Sequence, residues 1–110
     1  MPVTRILPYC ILTLRIISGK YRSKTLKAPS GLPVRPTTDR AKEGLFSWIQ
    51  ARMNFESLSV MDLFTGTGNI SYEFISRGVQ KLVAVDKHPA CVKFVREQFK
   101  NMQPGDFQVY

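Results

Sequence analysis

Two carboxylates and a pair of glycines near the middle of the chain have the types and spacing of a nucleoside-binding site. Gly66 and Gly68 follow an apolar run that contains Asp62, and Asp86 ends the next apolar run 18 residues after Gly68. Glycine adopts positive φ and, lacking a side chain, lets a ligand approach the backbone. A carboxylate at the end of the second run can accept hydrogen bonds from both hydroxyls of a ribose. Together these residues predict a nucleoside ligand.

Asp62 distinguishes between the cofactor classes that this arrangement serves. It lies four residues before Gly66, where its charge would repel a pyrophosphate that a helix N-terminus otherwise attracts. The dinucleotide fingerprint also requires a third small residue, a position that Ser71 fills only approximately. A ligand with an ammonium and a sulfonium is instead favoured by a nearby carboxylate, so we expect S-adenosylmethionine. Two alternatives remain: an NAD-type dinucleotide-binding half domain, and a simple strand-to-helix turn in which Asp62 caps the backbone.

The segments around these residues predict an α/β fold. The run 58–64 is typical of a strand covered on both faces of a parallel sheet. The helix after the glycines ends at Gly78, a suitable C′ residue, and residues 81–86 predict the next strand. A further helix has Pro89 in its first turn, and residues 107–110 predict a third strand. This order predicts a Rossmann-like half sheet of parallel strands with helices on both faces, preceded by a basic β-hairpin and a helix.

The positive charge is concentrated in the first half of the chain. The net charge is +8, and residues 1–58 hold ten Lys and Arg against three acidic residues, whereas the remainder holds six against five. A basic arm joined to a near-neutral half favours a polyanionic partner, although such cations also keep surfaces soluble and protect edge strands. Residues 14–17 and 24–27 predict a hairpin. Its candidate RNA-binding residues are the cations and one tyrosine on which a base could stack: Arg15, Lys20, Tyr21, Arg22, Lys24 and Lys27.

The segment before the central strand predicts a helix capped by Thr37 or Thr38. Apolar residues recur at helical spacing, which predicts that this stripe packs on the sheet with the tryptophan in the core: Ala41, Leu45, Trp48, Ile49 and Met53. His88 is predicted to be a loop or cap residue rather than a catalyst. Cys10 and Cys91 lack metal-ligand spacing, so we expect no metal site and reduced thiols in a cytoplasmic protein.

Three segments resemble the bacterial 16S ribosomal RNA guanine-N2 methyltransferases. They are Arg15-Ile16-Ile17-Ser18-Gly19-Lys20-Tyr21, then Arg35-Pro36-Thr37-Thr38-Asp39-Arg40 with Glu43, Leu45 and Phe46, and finally Asp62-Leu63-Phe64-Thr65-Gly66-Thr67-Gly68 with Ser76-Arg77-Gly78. The similarity runs from about Arg15 to the last residue. It implies a class I methyltransferase fold, S-adenosylmethionine as cofactor, and ribosomal RNA or the small ribosomal subunit as partner. The resemblance places Arg35 and Thr37 near the carboxylate of the cofactor. The predicted cofactor-binding residues are Asp62, Phe64, Thr65, Gly66, Gly68, Asn69, Asp86, Lys87, Arg35 and Thr37.

The chain departs from this family in one respect. Family members are nearly twice as long and carry an Asn/Asp-Pro-Pro-Tyr/Phe motif that grips the target base, and this sequence has no such tetrapeptide. We therefore expect the amino-terminal part of such an enzyme, divided into an extension at 1–14, the hairpin and loop at 15–36, and an incomplete cofactor domain at 37–110. The chain alone is expected to be inactive, with no catalytic residue and no membrane association. The alternative function is that of a non-enzymatic RNA-binding fragment, which would use the hairpin and leave the glycine loop empty. The open edge of its half sheet is expected to favour self-association.

Overall fold

The computed structural model describes residues 12–29, 31–32 and 37–110. Its elements are, in chain order, β1 (Leu12–Arg15), β2 (Thr25–Ala28), α1 (Asp39–Gln50), a 3₁₀ helix (Phe55–Ser57), β3 (Ser59–Leu63), α2 (Asn69–Ser76), β4 (Lys81–Val85), α3 (Pro89–Lys100) and β5 (Asp106–Val109). β1 and β2 pair antiparallel, and β3, β4 and β5 form a parallel sheet in that order. The predicted α/β fold is confirmed, with its hairpin, first helix and parallel half sheet. Most of the predicted extension at 1–14 lies outside the described residues.

The helix ends follow capping residues that the sequence predicts. Thr38 is the N-cap of α1, where its Oγ1 accepts a hydrogen bond from the Ala41 amide at 3.2 Å. His88 is the N-cap of α3, where its Nδ1 accepts from the Ala90 amide at 3.3 Å. Gly78, with φ at +120°, follows the end of α2. Because each cap satisfies backbone groups that the helix leaves unpaired, these boundaries are decided locally.

The parallel sheet is covered on one face. Leu82 and Ala84 of β4 are fully buried on that face. On the opposite face Met61, which pairs with Val83, is 65% exposed, and Leu63 is 55% exposed. The expected covering of both faces is therefore found on one face only in the part of the chain that the structure describes. The strand order also makes β3 an edge strand, in addition to β5.

Helix α1 turns a different face to the core from the one predicted. Its buried residues are Lys42, Phe46 and Ile49. Trp48 is 52% exposed, Leu45 is 43% exposed and Met53, just beyond the helix, is 48% exposed. Ala41 is exposed as well. The prediction that Ala41, Leu45, Trp48 and Met53 join the buried stripe, with Trp48 in the core, is therefore wrong, whereas Ile49 is buried as predicted. The physical reason is that Lys42 is held inside by polar partners on other elements, which rotates the apolar residues beside it toward the surface.

Two aromatic pairs join the three helices to one another. Phe46 of α1 meets Phe74 of α2 edge-on, with 4.6 Å between ring centroids. Tyr72 of α2 contacts Phe99 of α3 at 6.0 Å. Such pairs add about 0.5 to 1.5 kcal/mol beyond the apolar area they bury. Helix α2 is therefore packed from both sides, which sets the position of the loop that precedes it.

Helices that could span a bilayer are not found in the described residues, because none is both long and apolar enough.

Candidate cofactor site

The loop between β3 and α2 bends through three residues with positive φ. These are Phe64 at 61°, Gly66 at 59° and Gly68 at 87°. Positive φ at a bulky residue such as Phe64 stores about 1 to 3 kcal/mol of strain, which is typical of ligand-binding loops. The Phe64 side chain is 90% exposed. Helix α2 then begins without a side-chain cap from the described residues, so within this part of the chain the first amides of the helix remain available to a ligand.

The Asp62 carboxylate is oriented by two hydroxyl groups at the start of this loop. Its Oδ2 accepts hydrogen bonds from Thr65 Oγ1 at 2.8 Å and from Ser71 Oγ at 2.6 Å. Ser71 is fully buried and Thr65 is nearly so. Both donors are side-chain hydroxyls rather than backbone amides, so the alternative in which Asp62 caps the backbone gains no support. Ser71, a weak fingerprint residue in the sequence, acts instead as an orienting group for Asp62.

The Asp86 carboxylate joins the second strand to the glycine loop. Its Oδ2 accepts from the Gly66 amide at 2.9 Å, and its Oδ1 accepts from the His88 amide at 2.9 Å. Each carboxylate oxygen has two lone pairs, so one on each oxygen remains for a ribose hydroxyl. Sequence reasoning assigned Asp86 to the ribose alone. The structure adds that the same carboxylate braces the loop, a contact between residues 20 positions apart.

An apolar hollow of about 790 Å³ opens beside the Asp86 carboxylate, and Asp62 is not among the residues that line it. This volume is within the range of about 300 to 1,000 Å³ that small-molecule sites occupy. The residues that line it are Leu63, Phe64, Val85, Asp86, Lys87, His88 and Tyr110. The hollow therefore brings the predicted cofactor residues Phe64 and Lys87 to the same place as Asp86, and its size and polar edge fit a nucleoside.

The Asn69 side chain links the start of α2 to the segment that precedes α1. Its Nδ2 donates to the Thr37 carbonyl at 2.8 Å, and its Oδ1 accepts from Lys42 Nζ at 2.9 Å. Thr37 thus lies beside the glycine loop, and its place near the carboxylate of the cofactor stays a prediction. Arg35 lies outside the described residues. Within 12–29, 31–32 and 37–110, no group of three or more His, Cys, Asp or Glu side chains is placed to hold a metal ion.

A buried polar network behind the loop was not found by sequence reasoning. Lys42 and Glu73 are fully buried and form an ion pair with 3.2 Å between Nζ and Oε1. Glu73 also accepts from the amides of Ile17 at 3.0 Å and Ser18 at 3.1 Å, and from Arg77 Nε at 2.9 Å. The available signals were the i, i+4 spacing of Glu73 and Arg77 and the place of Lys42 one turn before a buried phenylalanine.

The protonation of Glu73 reflects this network. Burial by itself raises the pKa of the carboxyl group. The hydrogen bonds from the Ile17 amide and Arg77, together with the charge of Lys42, outweigh burial, so the pKa of Glu73 lies below its ordinary value of 4.5. The charged carboxylate is therefore the form that the folded structure stabilises.

Tyr72 lies directly beneath the glycine loop. A side chain at Gly68 would overlap the Tyr72 ring. The Tyr72 hydroxyl is buried and has no hydrogen-bond partner in the described part of the chain. Burial, with the nearby Asp62 and Cys91 charges, raises the pKa of this phenol well above its ordinary value. Position 68 therefore requires glycine for two reasons, which are the space taken by the Tyr72 ring and the positive φ.

The predicted RNA-binding residues lie on the hairpin, and its tip contacts the end of α2 that is remote from the glycine loop. The Lys20 amide donates to the Ser76 carbonyl at 2.7 Å, and the Tyr21 amide donates to Ser76 Oγ at 2.9 Å. The ammonium groups of Lys20 and Lys24 lie 5.4 and 5.5 Å from the Tyr21 ring centroid. A base that stacks on Tyr21 would compete with these cations.

The other hairpin cations differ in their surroundings. Arg15 pairs with Asp39 at 2.8 Å, so its guanidinium already has a carboxylate partner within the chain. Arg22 and Lys27 are exposed. The hairpin thus presents a basic surface, with Arg15 the member least available to a phosphate.

Comparison of the sequence with known proteins finds a family and several relatives. The profile of the family described as Conserved hypothetical protein 95 matches residues 14–110. The Bacillus subtilis protein YlbH, provisionally named an rRNA methyltransferase, is 34% identical over 82% of this chain and 48% of its own. Ribosomal RNA small subunit methyltransferase D of Escherichia coli is 28% identical over 87% of this chain and 48% of its own.

Comparison of the structure gives the same result. The solved structure of the Escherichia coli protein yhhF, provisionally named a methyltransferase, superimposes with a TM-score of 0.78 at 29% identity, over 90% of this chain and 52% of that chain. The chain therefore spans about half the length of the relatives that it matches.

Proposed function

The chain belongs to the methyltransferase family described as Conserved hypothetical protein 95, and on that premise we propose that it binds S-adenosylmethionine at the glycine loop. The substrate that we propose is guanine N2 of small-subunit ribosomal RNA, although this sequence lacks the Asn/Asp-Pro-Pro-Tyr/Phe motif that would grip the base. The Escherichia coli relative is named for methylation of small-subunit rRNA, and the basic hairpin suits a polyanion.

One observation supports cofactor binding above all others. The Asp86 carboxylate is bound to the Gly66 amide at 2.9 Å and to the His88 amide, so it is held in place before any ligand arrives. A ribose over the loop meets two carboxylate oxygens whose orientation needs no further ordering. Preorganisation of this kind lowers the entropy cost of binding.

The residues of the site have distinct roles toward this cofactor. When bound, the cofactor supplies an electrophilic methyl group on a sulfonium to a nucleophilic nitrogen. Asp86 would hold the ribose hydroxyls, and the hollow beside Leu63 and Tyr110 would exclude water from the base. Asp62, fixed by Thr65 and Ser71, favours the positive charge of the amino-acid end. Such a site accelerates transfer mainly by positioning.

An NAD-type ligand fits the site less well. The Asp62 carboxylate is fixed at the carboxyl end of β3, near the first amides of α2. A dinucleotide would place its pyrophosphate at those amides, where Asp62 repels it. S-adenosylmethionine has no phosphate and meets no such repulsion.

Titration calorimetry with S-adenosylhomocysteine tests the cofactor proposal. We expect saturable binding to the unaltered chain, and at least a tenfold loss in Asp86→Ala because about 1.5 kcal/mol or more disappears with each charge-assisted hydrogen bond. NAD is expected to give no saturable heat. Asp106→Ala, which removes an exposed carboxylate at the start of β5, is the matched control and should bind like the unaltered chain. Equal affinity in the Asp86 and Asp106 variants would contradict the proposed role.

The RNA proposal is tested through the salt dependence of binding. Fluorescence anisotropy with a small-subunit rRNA hairpin should show a smaller slope of log K against log salt for the variant Lys20→Ala/Arg22→Ala, by about 0.7 to 0.9 per lost phosphate contact. Lys93→Ala/Lys100→Ala on α3 removes the same charge from exposed positions elsewhere. If both double variants reduce the slope equally, the hairpin is not a specific RNA surface. RNA binding without cofactor binding would instead favour the second candidate, a non-enzymatic RNA-binding fragment.

A further inference from the structure

The buried Lys42 ammonium makes three contacts, one with the hairpin and two with helix α2. It donates to the Arg15 carbonyl of the hairpin at 2.7 Å and to Asn69 Oδ1 at the start of α2 at 2.9 Å, and it pairs with Glu73 at 3.2 Å. An ammonium has three N–H groups, so each of these contacts has its own donor. Since the side chain of Lys42 is fully buried, water is not available to replace any one of them.

On one side, this network reaches the cofactor loop. Asn69 follows Gly68 directly, and its side chain is held between Lys42 and the Thr37 carbonyl. Movement of the loop therefore moves an oxygen that Lys42 binds. Thr37 and Asn69 are both predicted cofactor residues, so a bound ligand restrains this side of the network.

On the other side, the network reaches the hairpin. Glu73 accepts from the Ile17 and Ser18 amides, and Ser76 accepts from the Lys20 amide one turn farther along α2. Gly19 packs so closely on the Ser76 carbonyl that a side chain there would overlap it. The hairpin is therefore docked along α2 through polar contacts with Ser76 and with Glu73, and Glu73 also holds Lys42.

We propose that Lys42 is a positioning residue that couples docking of the hairpin to the conformation of the cofactor loop, so that cofactor binding tightens the hairpin against α2. This inference rests on the proposed cofactor function. The coupling is reciprocal, because linkage requires that whatever loosens the hairpin also weakens cofactor binding by the same factor. This coupling would make the basic surface of the hairpin most ordered when the cofactor is bound.

Two glycine variants measure this coupling. Gly19→Ala forces the hairpin tip away from Ser76, whereas Gly31→Ala carries a similar positive-φ penalty, at +91° against +94°, and meets no atom within 4 Å among the described residues. We expect Gly19→Ala to weaken S-adenosylhomocysteine binding by at least about fivefold relative to Gly31→Ala, the lower end of ordinary coupling between sites. Equal affinities in two folded variants would overturn the proposal.

Hydrogen exchange gives a second measurement that does not depend on folding of the Gly19 variant. In the unaltered chain, saturating S-adenosylhomocysteine should slow exchange of the Ile17 and Ser18 amides by at least about fivefold. In Asn69→Ala, which removes the link to the loop and keeps the Lys42–Glu73 pair, saturating ligand should leave these amides unchanged. Unchanged exchange in the first case, or persistent slowing in the second, would overturn the role of Lys42.

Failure of the coupling differs visibly from failure of the proposed function. If the unaltered chain binds S-adenosylhomocysteine and the two amides do not respond, the cofactor site stands and the coupling is refuted. If the unaltered chain does not bind this ligand at all, the proposed function fails and the coupling fails with it.

Discussion

Replacing Glu73 with alanine is expected to lower the free energy of unfolding by about 3 to 5 kcal/mol. One buried carboxylate accepts from two hairpin amides and pairs with Lys42 and Arg77. Its removal leaves an ammonium buried without a counter-charge and two amides without an acceptor, and each change is costly in a region that water does not reach. Stability of a domain is about 5 to 15 kcal/mol in total, so the loss is a large fraction of it. Urea unfolding followed by circular dichroism measures this difference.

Glu97→Ala is the matched control for this prediction. Glu97 is an exposed carboxylate on α3, and its removal should change the free energy of unfolding by no more than about 0.5 kcal/mol. Comparable losses in the Glu73 and Glu97 variants would show that the network contributes no special stability.

The shifted pKa of Glu73 also predicts how the stability of the folded chain changes with pH. The pKa of Glu73 is lower in the folded chain than its ordinary value of 4.5. The contribution of the Glu73 carboxylate to the free energy of unfolding is therefore complete above that value, and it is lost as the pH falls through the folded pKa. The stability difference between the unaltered chain and Glu73→Gln should be largest near neutral pH and should narrow below about pH 4.5. A gap that widens on acidification would contradict the direction of the shift.

Gly68→Ala is expected to abolish measurable cofactor binding and to destabilise the chain by about 2 to 4 kcal/mol. The new side chain would overlap the Tyr72 ring, and φ at this position is +87°. Relief of the overlap requires the loop to move, which displaces the amides and the Asp86 contact that the ligand needs. Thermal unfolding and calorimetric titration of S-adenosylhomocysteine measure the two effects.

Gly44→Ala provides the control for Gly68. It makes the same chemical change inside α1, where a side chain meets no described atom within 4 Å, and should raise stability by about 0.5 to 1 kcal/mol. Adding Tyr72→Leu to Gly68→Ala should recover part of the lost stability, because the overlapping ring is gone. A Gly68 variant that matches the unaltered chain in both stability and affinity would show that the loop tolerates a side chain.

Sequence alone determined the order of the elements and the residues of the central loop. The glycines, the acids Asp62 and Asp86, and the caps Thr38 and His88 lie where the patterns predicted. These signals are local, since a turn that needs positive φ, or a helix end that needs an acceptor, is decided by a few neighbouring residues. The assignment of ligand-binding roles to these residues stays a prediction.

Tertiary structure decided which side of each element faces the core. Helix α1 buries Lys42 rather than Trp48 because Glu73, 31 positions later, and the Arg15 carbonyl satisfy the ammonium. The hairpin tip is held against Ser76 by hydrogen bonds with Tyr21 and Ser18. These contacts join residues more than 50 positions apart, so local sequence patterns do not predict them. The cost of burying a charge or turning an apolar face outward depends on partners that no local window contains. Helix and strand periods therefore predicted the elements, while distant polar partners determined how they are rotated and joined.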